Sequence, residues 1–355
     1  MFGVMCVFTM GRDIAISGEK FMPYKRQCGG NIMENSGLWQ GFFIQIETQK
    51  PQDVVVLFER FGFHRTPCNA LPSNAHILTQ GSLCLYVKPR LFAPPDLTPL
   101  LDTVMTRVGI LGAHKNAVLS PFDVAQDLVS PIGLSFFFMD PVAWQTWRDQ
   151  HIVDQKSDEP LFTHIDHVAI NVFESQKHEM GAWCQAHLEL SAQDPFHIEG
   201  NKTSFTCAPF ESRCAMFSVV LSTSQDPHSQ ISQYLEEAGG AGVQHLAFAT
   251  NTLHQTLDAL RGEGVTFVDV PKSYYDTLVS QGRLAPQDKE RFQKAGLLLE
   301  KAKGEDAYLA QTFTQNVLGP FFIEVIERHE KRGFGEGNIT ALFKAVEESY
   351  IKKSA

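Results

Sequence analysis

The sequence predicts an α+β fold assembled from repeated strand-helix-strand modules in two domains. Three observations carry this expectation. Alternating apolar strands and short helices succeed one another, the pattern halts at a polar stretch near the middle of the chain, and it then restarts. In the second half a phrase recurs: Ile165-Asp166-His167-Val168-Ala169-Ile170 and Val243-Gln244-His245-Leu246-Ala247-Phe248 each place a histidine third in a short strand just before a helix.

Taken in order, residues 1–37 hold Gly29-Gly30 and polar punctuation without sustained periodicity, so an irregular N-terminal extension is expected. Its apolar start lacks a basic segment and breaks at Gly11-Arg12-Asp13, short of secretory length. Residues 38–150 read as a first domain. It has a strand at Gly41–Thr48, a short helix over Val54–Phe63 with a glycine at its end, and strands at Ala75–Thr79, Ser82–Val87 and Gly133–Met139. The polar, charged run from Trp144 to Pro160 marks the boundary. Residues 160–355 read as the second domain: strand Ile165–Val172, helix Glu174–Leu188, strands Ser204–Ala208 and Ala215–Ser222, and helix Ser229–Ala238. Strand Val243–Ala249, helix Thr252–Gly262 and strands Thr266–Val268, Ala307–Thr314 and Phe321–Arg328 follow.

Composition narrows the function classes. At 355 residues and 43% hydrophobic content, the chain can bury two ordinary cores. A formal charge of -10 argues against nucleic acid as a partner, because such binding rests on clustered Lys and Arg. Seven scattered cysteines without a Cys-x-x-Cys pair suggest neither a disulfide framework nor a thiolate zinc site, and a reducing cytoplasm is the expected location. No apolar run approaches the roughly 20 residues of a membrane-spanning helix.

His167, His245 and Glu324 concentrate the chemistry. Each interrupts an apolar strand, and they are spaced 78 and 79 residues apart. A lone strand histidine is more often a hydrogen-bonded core residue than a ligand, whereas a carboxylate flanked by Phe321-Phe322-Ile323 and Val325-Ile326 is costly to bury without a partner. Brought together, two imidazoles and one carboxylate are the set that holds non-haem Fe(II) on one face and leaves the other positions open. The same ligands suit zinc, but no His-Glu-x-x-His helix accompanies them, so a zinc hydrolase ranks lower.

The surrounding phrases are specific. They include Gly239-Gly240-Ala241-Gly242-Val243-Gln244-His245, Val270-Pro271-Lys272-Ser273-Tyr274-Tyr275-Asp276, Gln311-Thr312-Phe313-Thr314, Gly319-Pro320 before Glu324, and Gly333-Phe334-Gly335-Glu336-Gly337-Asn338. On these residues the chain resembles the 4-hydroxyphenylpyruvate dioxygenase family of the vicinal-oxygen-chelate group, strongly over residues 160–348 and loosely before them. The resemblance implies paired βαβββ modules, with an open barrel in the C-terminal domain holding the site and a non-catalytic N-terminal domain. It implies Fe(II) on His167, His245 and Glu324, a chelating 2-oxo acid substrate, O₂ as co-substrate, homogentisate and CO₂ as products of tyrosine and phenylalanine breakdown, and a homo-oligomer. By position, Gln230, Gln244 and Gln311 match glutamines of the family's site, and Phe313, Phe322 and Phe334 match its aromatics. Asn338 and Phe343 fall in the segment matching the C-terminal helix that closes over the site.

The departures from the family cluster at the substrate end. Cys207 stands where a serine is usual, Ser222 where an asparagine is usual, and Ile339 replaces a phenylalanine facing the substrate ring. One stacking face and one hydrogen bond, each contributing on the order of 1 kcal/mol, are thereby altered. Two further readings stay open. One is a relative that oxidises another 2-oxo acid or forms 4-hydroxymandelate, and the other is a non-catalytic protein that sequesters small molecules.

Overall fold

The computed structural model describes residues 40–344 apart from 69–70, 73, 91–102, 112–116, 119, 123–126, 153–158, 214, 332 and 342. The expected extension over residues 1–37 lies outside the described residues. The first half runs β1 (Gln40–Thr48), α1 (Pro51–Arg60), β2 (His64–Thr66), β3 (His76–Gln80), β4 (Leu83–Pro89), β5 (Thr103–Leu111), β6 (Ala117–Val118), β7 (Leu128–Val129), β8 (Ser135–Met139) and α2 (Pro141–His151). The second runs β9 (His164–Asn171), α3 (Lys177–His187), β10 (Ser191–Ala192), β11 (Phe196–Glu199), β12 (Ser204–Glu211), β13 (Ser218–Thr223), α4 (Gln230–Ala238), β14 (Gly242–Ala249) and α5 (Leu253–Gly262). It continues with α6 (Lys272–Ser280), α7 (Lys289–Ala295), β15 (Leu298–Lys301), β16 (Tyr308–Phe313) and β17 (Phe322–His329). Residues 336–341 and 343–344 are also helical.

Both halves pair their strands in the same way. In the first, β4 lies parallel to β1, β1 antiparallel to β5, and β5 parallel to β8. In the second, β13 lies parallel to β9, β9 antiparallel to β14, and β14 parallel to β17. The hairpin strands β2 and β3, and β11 and β12, extend one side, while β16 and β15 extend the other side of the second sheet. The two sheets meet through a β1–β9 bridge at Gly41 and Ile165. This is the α+β architecture of paired βαβββ modules, with the second sheet strongly curled.

Helices form where apolar residues repeat on one face, and they bury that face against one side of the sheet. Val54, Val55 and Phe58 of α1 join Met180 and Cys184 of α3 and Leu253, Leu257 and Leu260 of α5 in one continuous core. Ser229, expected as the first residue of a helix, instead caps α4, its hydroxyl accepting from the Ser232 N–H. Because the helices take the outer side, the opposite side of the second sheet is free to carry polar groups.

Some expectations change. The polar run beginning at Trp144 starts inside α2, where Asp140 caps the helix and Trp144 and Trp147 are buried and stacked with ring centroids 5.3 Å apart. Its polar residues occupy the outer face, which masks the buried stripe in a linear reading. The strand expected at Thr266–Val268 reduces to one bridge, Phe267 to Thr314. Helices α6 and α7 and strands β5 and β15 were not anticipated. In β5 the buried Arg107, and Gly109 two residues on, break the usual strand composition.

Candidate metal centre

His167 lies on β9, His245 on β14 and Glu324 on β17, three strands that are adjacent in the curled sheet. Ala247 of the central strand pairs with His167 on one side and with Glu324 on the other. Directly paired residues point to the same face, and His245 shares that face because it lies two residues from Ala247. The small methyl of Ala247, fully buried, leaves the space between the flanking side chains open. One ligand atom from each of the three residues lies within 4.8 Å of the others. Nε2 of His167 is 3.3 Å and Nε2 of His245 3.4 Å from the same Glu324 oxygen.

Both histidines sit beside a β-bulge. Between β9 and β14 the register shifts twice, once with Asp166 as the extra residue and once with Gln244. A bulge leaves one residue unpaired and re-aims its side chain, so a residue adjacent to an inward-facing histidine can itself reach the imidazole. Asp166 Oδ1 accepts from His167 Nδ1 at 2.9 Å, and Gln244 Oε1 accepts from His245 Nδ1 at 3.3 Å. Each Nδ1 is thereby occupied and each Nε2 is turned toward Glu324, the arrangement of metal-ligating imidazoles held from behind by an acceptor.

The electrostatics are those of a tightly coupled cluster. Burial pushes the Glu324 carboxyl up, but His167 and His245 more than offset this and hold it at about 2. Burial pulls His167 down, and Glu324 with Asp166 outweighs it, raising the imidazole to about 9. At His245 burial prevails and the imidazole is lowered. Asp166 is raised by burial and lowered more strongly by Arg328 and His167, well below the usual carboxylate range. Glu324 Oε1 is buried and has no hydrogen-bond partner. A buried carboxylate with Oε2 beside two imidazole nitrogens and Oε1 unpartnered fits a divalent cation, whose charge would compensate what burial costs.

The remaining candidate residues separate into groups. Phe322 stacks on His245 at 4.6 Å, Phe313 meets His245 edge-on at 6.3 Å, and Phe334 meets His167 edge-on at 5.7 Å. Gln311 pairs across from Ile326 on the ligand face with its Oε1 unpartnered; a Cβ on Gly335 would stand 2.6 Å from that oxygen, so the chain at Gly335 passes directly over it. Asn338 is buried and accepts from the Tyr274 hydroxyl. Cys207 Sγ lies 3.5 Å from Ser222 Oγ, and Cys207, Ile339 and Phe343 join one apolar cluster with Phe205 and Val220. Gln230 is half-buried at the first turn of α4 and makes no hydrogen bond to the ligand residues. Gln244 lies behind His245 rather than standing free.

Three residues were not singled out as functional in the sequence. Asn171 is fully buried, pairs across from Ser222, and has neither amide atom hydrogen-bonded. Asp166 and Arg328 form a buried fork beside His167. The signal available for Asp166 was a charge in consecutive position with the histidine, which strict strand alternation assigns to the opposite face.

A family model described as the Glyoxalase/Bleomycin resistance protein/Dioxygenase superfamily matches residues 164–289. These residues are similar to a domain of that superfamily. The match contains the strands of His167 and His245 and ends before the strand of Glu324. The chain is similar to Hemolysin VllY of Vibrio vulnificus, 34% identical over 201 residues that cover 56% of this chain and 55% of that one. It is also similar to a protein named 4-hydroxyphenylpyruvate dioxygenase from Legionella pneumophila (strain Corby), 33% identical over 202 residues, 56% of this chain and 58% of that protein. The chain thus spans little more than half the length of these curated relatives. A solved variant of 4-hydroxymandelate synthase from Streptomyces coelicolor shares the fold, with TM-score 0.71 and 19% identity over 88% of this chain and 99% of that one. Among the described residues no helix is long and apolar enough to cross a membrane.

Proposed function

We propose that the chain is an Fe(II)-dependent dioxygenase that oxidatively decarboxylates 4-hydroxyphenylpyruvate with O₂, giving homogentisate and CO₂. The observation that carries this reading is the convergence of His167 Nε2, His245 Nε2 and Glu324 on one point, with both Nδ1 atoms tied back and a Glu324 oxygen unpartnered. Relatives of that name at about one-third identity support the substrate. Bound by these three side chains, Fe(II) would supply open positions for a chelating 2-oxo acid and for O₂.

The chain's own residues bind, orient and exclude water. Phe313, Phe322 and Phe334 wall the ligand residues with aromatic surface suited to an aryl substrate. Gln311 Oε1, Asn338 Nδ2 and both ends of Asn171 are buried and unpartnered, a set of donors and acceptors for the substrate's polar groups. Glycine at 335 lets the closing segment lie on Gln311, limiting solvent access from that side. The half before residue 150 takes no part in this chemistry, and a homo-oligomer in the cytoplasm is the setting we propose.

A second reading is favoured by Cys207, Ser222 and Ile339: hydroxylation of another carbon to give 4-hydroxymandelate, or use of another 2-oxo acid. Product analysis with the iron-loaded protein, 4-hydroxyphenylpyruvate and O₂ separates them. Homogentisate is the expected product, and 4-hydroxymandelate or no turnover would reject the main reading.

A further inference from the structure

We propose that Arg328 is a positioning residue that couples the closing segment 333–344 to the ligand His167 by way of Asp166; this rests on the metal reading above. Arg328 lies on β17 four residues beyond Glu324, and its guanidinium serves two masters. Nε and Nη2 fork onto both Asp166 oxygens at 2.7 and 2.8 Å, while Nη1 donates to the Gly333 carbonyl at 2.6 Å. The Asp166 oxygen that accepts from Nη2 also accepts from His167 Nδ1. Gly333, Arg328, Asp166 and His167 therefore form an unbroken hydrogen-bonded chain, and the Asp166–Arg328 pair within it is largely buried.

A separate contact joins the same two ends. The Phe334 ring stands edge-on to His167, and the Arg328 guanidinium lies 5.9 Å from the centre of that ring. The first residues of the closing segment thus touch the ligand directly through Phe334 and indirectly through Arg328. Only a planar fork with donors on several edges can bind a carboxylate in bidentate fashion and still donate to a carbonyl on the far side; a lysine ammonium in its place is a point charge without that geometry. Orientation of the His167 ring and docking of the segment should accordingly change together.

The test uses the full-length chain as wild type, Asp166→Asn and Arg328→Lys, with two readouts. One is Co(II) affinity, followed by visible absorption; the other is the rate of tryptic cleavage after Lys331 in metal-free protein. Both variants are expected to weaken Co(II) binding by about tenfold or more, the usual consequence of losing the group behind a metal-bound imidazole. Both are also expected to speed cleavage after Lys331, although Asp166 makes no hydrogen bond to the segment. A variant that shifts one readout while leaving the other at the wild-type value overturns the coupling, and so does wild-type behaviour in both. Should Arg328→Lys fail to fold by circular dichroism, the isosteric Asp166→Asn, whose amide oxygen can still accept from Arg328, decides the matter by itself. Wild-type protein that binds no Co(II) would overturn the metal reading together with the coupling, whereas wild-type binding with unaffected variants would overturn the coupling alone.

Discussion

The two halves of the molecule share a backbone plan down to its irregularities, and differ in what the plan carries. In β9 and β14 the extra residues are Asp166 and Gln244; in β1 and β5 the register shifts fall at the same spacing, with Phe42 and Thr106 as the extra residues. Superimposing the pairings sets Phe43 where His167 stands, Arg107 where His245 stands and Phe137 where Glu324 stands. Gly109 takes the place of the small central Ala247. In the first half the position between the flanking strands is filled: a Cβ on Gly109 would lie 2.6 Å from Phe137 and 2.7 Å from Phe43. Arg107 lies over the Phe137 ring at 4.1 Å and pairs with Asp127. Two phenyl rings and a guanidinium offer no metal ligand, so one scaffold is packed with aromatic surface and the other with donors. Bulges set where side chains aim; side-chain identity sets what they do.

The sharpest way to break this comparison is to treat equivalent positions alike. His245→Ala removes one ligand and is expected to abolish both iron retention and turnover, measured by metal analysis and O₂ uptake; full activity in that variant would undo the ligand assignment. The equivalent change, Arg107→Met, is expected to leave bound metal per chain unchanged. It strands Asp127 in a site where the ion pair is almost completely buried, at a cost of about 3–5 kcal/mol in urea unfolding. Loss of metal from Arg107→Met would show that the first half does contribute to the centre.

Gly109→Ala probes the filled row itself. The added methyl would meet Phe137 and the Phe43 Cβ at distances that force both to move, so a loss of about 1–3 kcal/mol is expected from thermal unfolding, with metal content preserved. An unchanged melting temperature would mean that the aromatic packing of the first half is looser than its geometry implies.

How much of this was legible in the sequence follows from the same geometry. His167, His245 and Glu324 could be found because each is a ligand type set in an apolar strand, and because the recurrence of one phrase implied equivalent places in repeated modules. The bulges could not be found. A linear reading assigns alternate residues to alternate faces, which sends Asp166 away from His167, and only the pairing register reveals the extra residue that brings the carboxylate round. The degenerate row in the first half was hidden for the converse reason: Phe43 and Phe137 are what any strand contains, and Arg107 looks like a solvent-facing residue until Asp127 and Phe137 are seen beside it. Strands β5 and β15 and helices α6 and α7 escape a linear reading because Arg107, Gly109 and the polar outer faces of the helices dilute the periodicity that a window can detect.

The smallest expected effect concerns how the closing segment meets a substrate. Ile339 is half-buried and packs with Phe334 and Phe343 in the cluster that also holds Cys207 and Val220, so its side chain lies between the segment and the sheet face carrying the donors. An aliphatic group there provides burial but no ring to stack on. Ile339→Phe is expected to tighten binding of an aryl 2-oxo acid by about 1 kcal/mol, roughly fivefold, the usual increment of one aromatic pair. An alkyl 2-oxo acid of similar length should gain nothing, because it has no ring to meet the new one. Equal gains for both would assign the effect to added apolar area, and weaker aryl binding would mean that Ile339 leaves no room for a ring, which would favour a substrate other than an arylpyruvate.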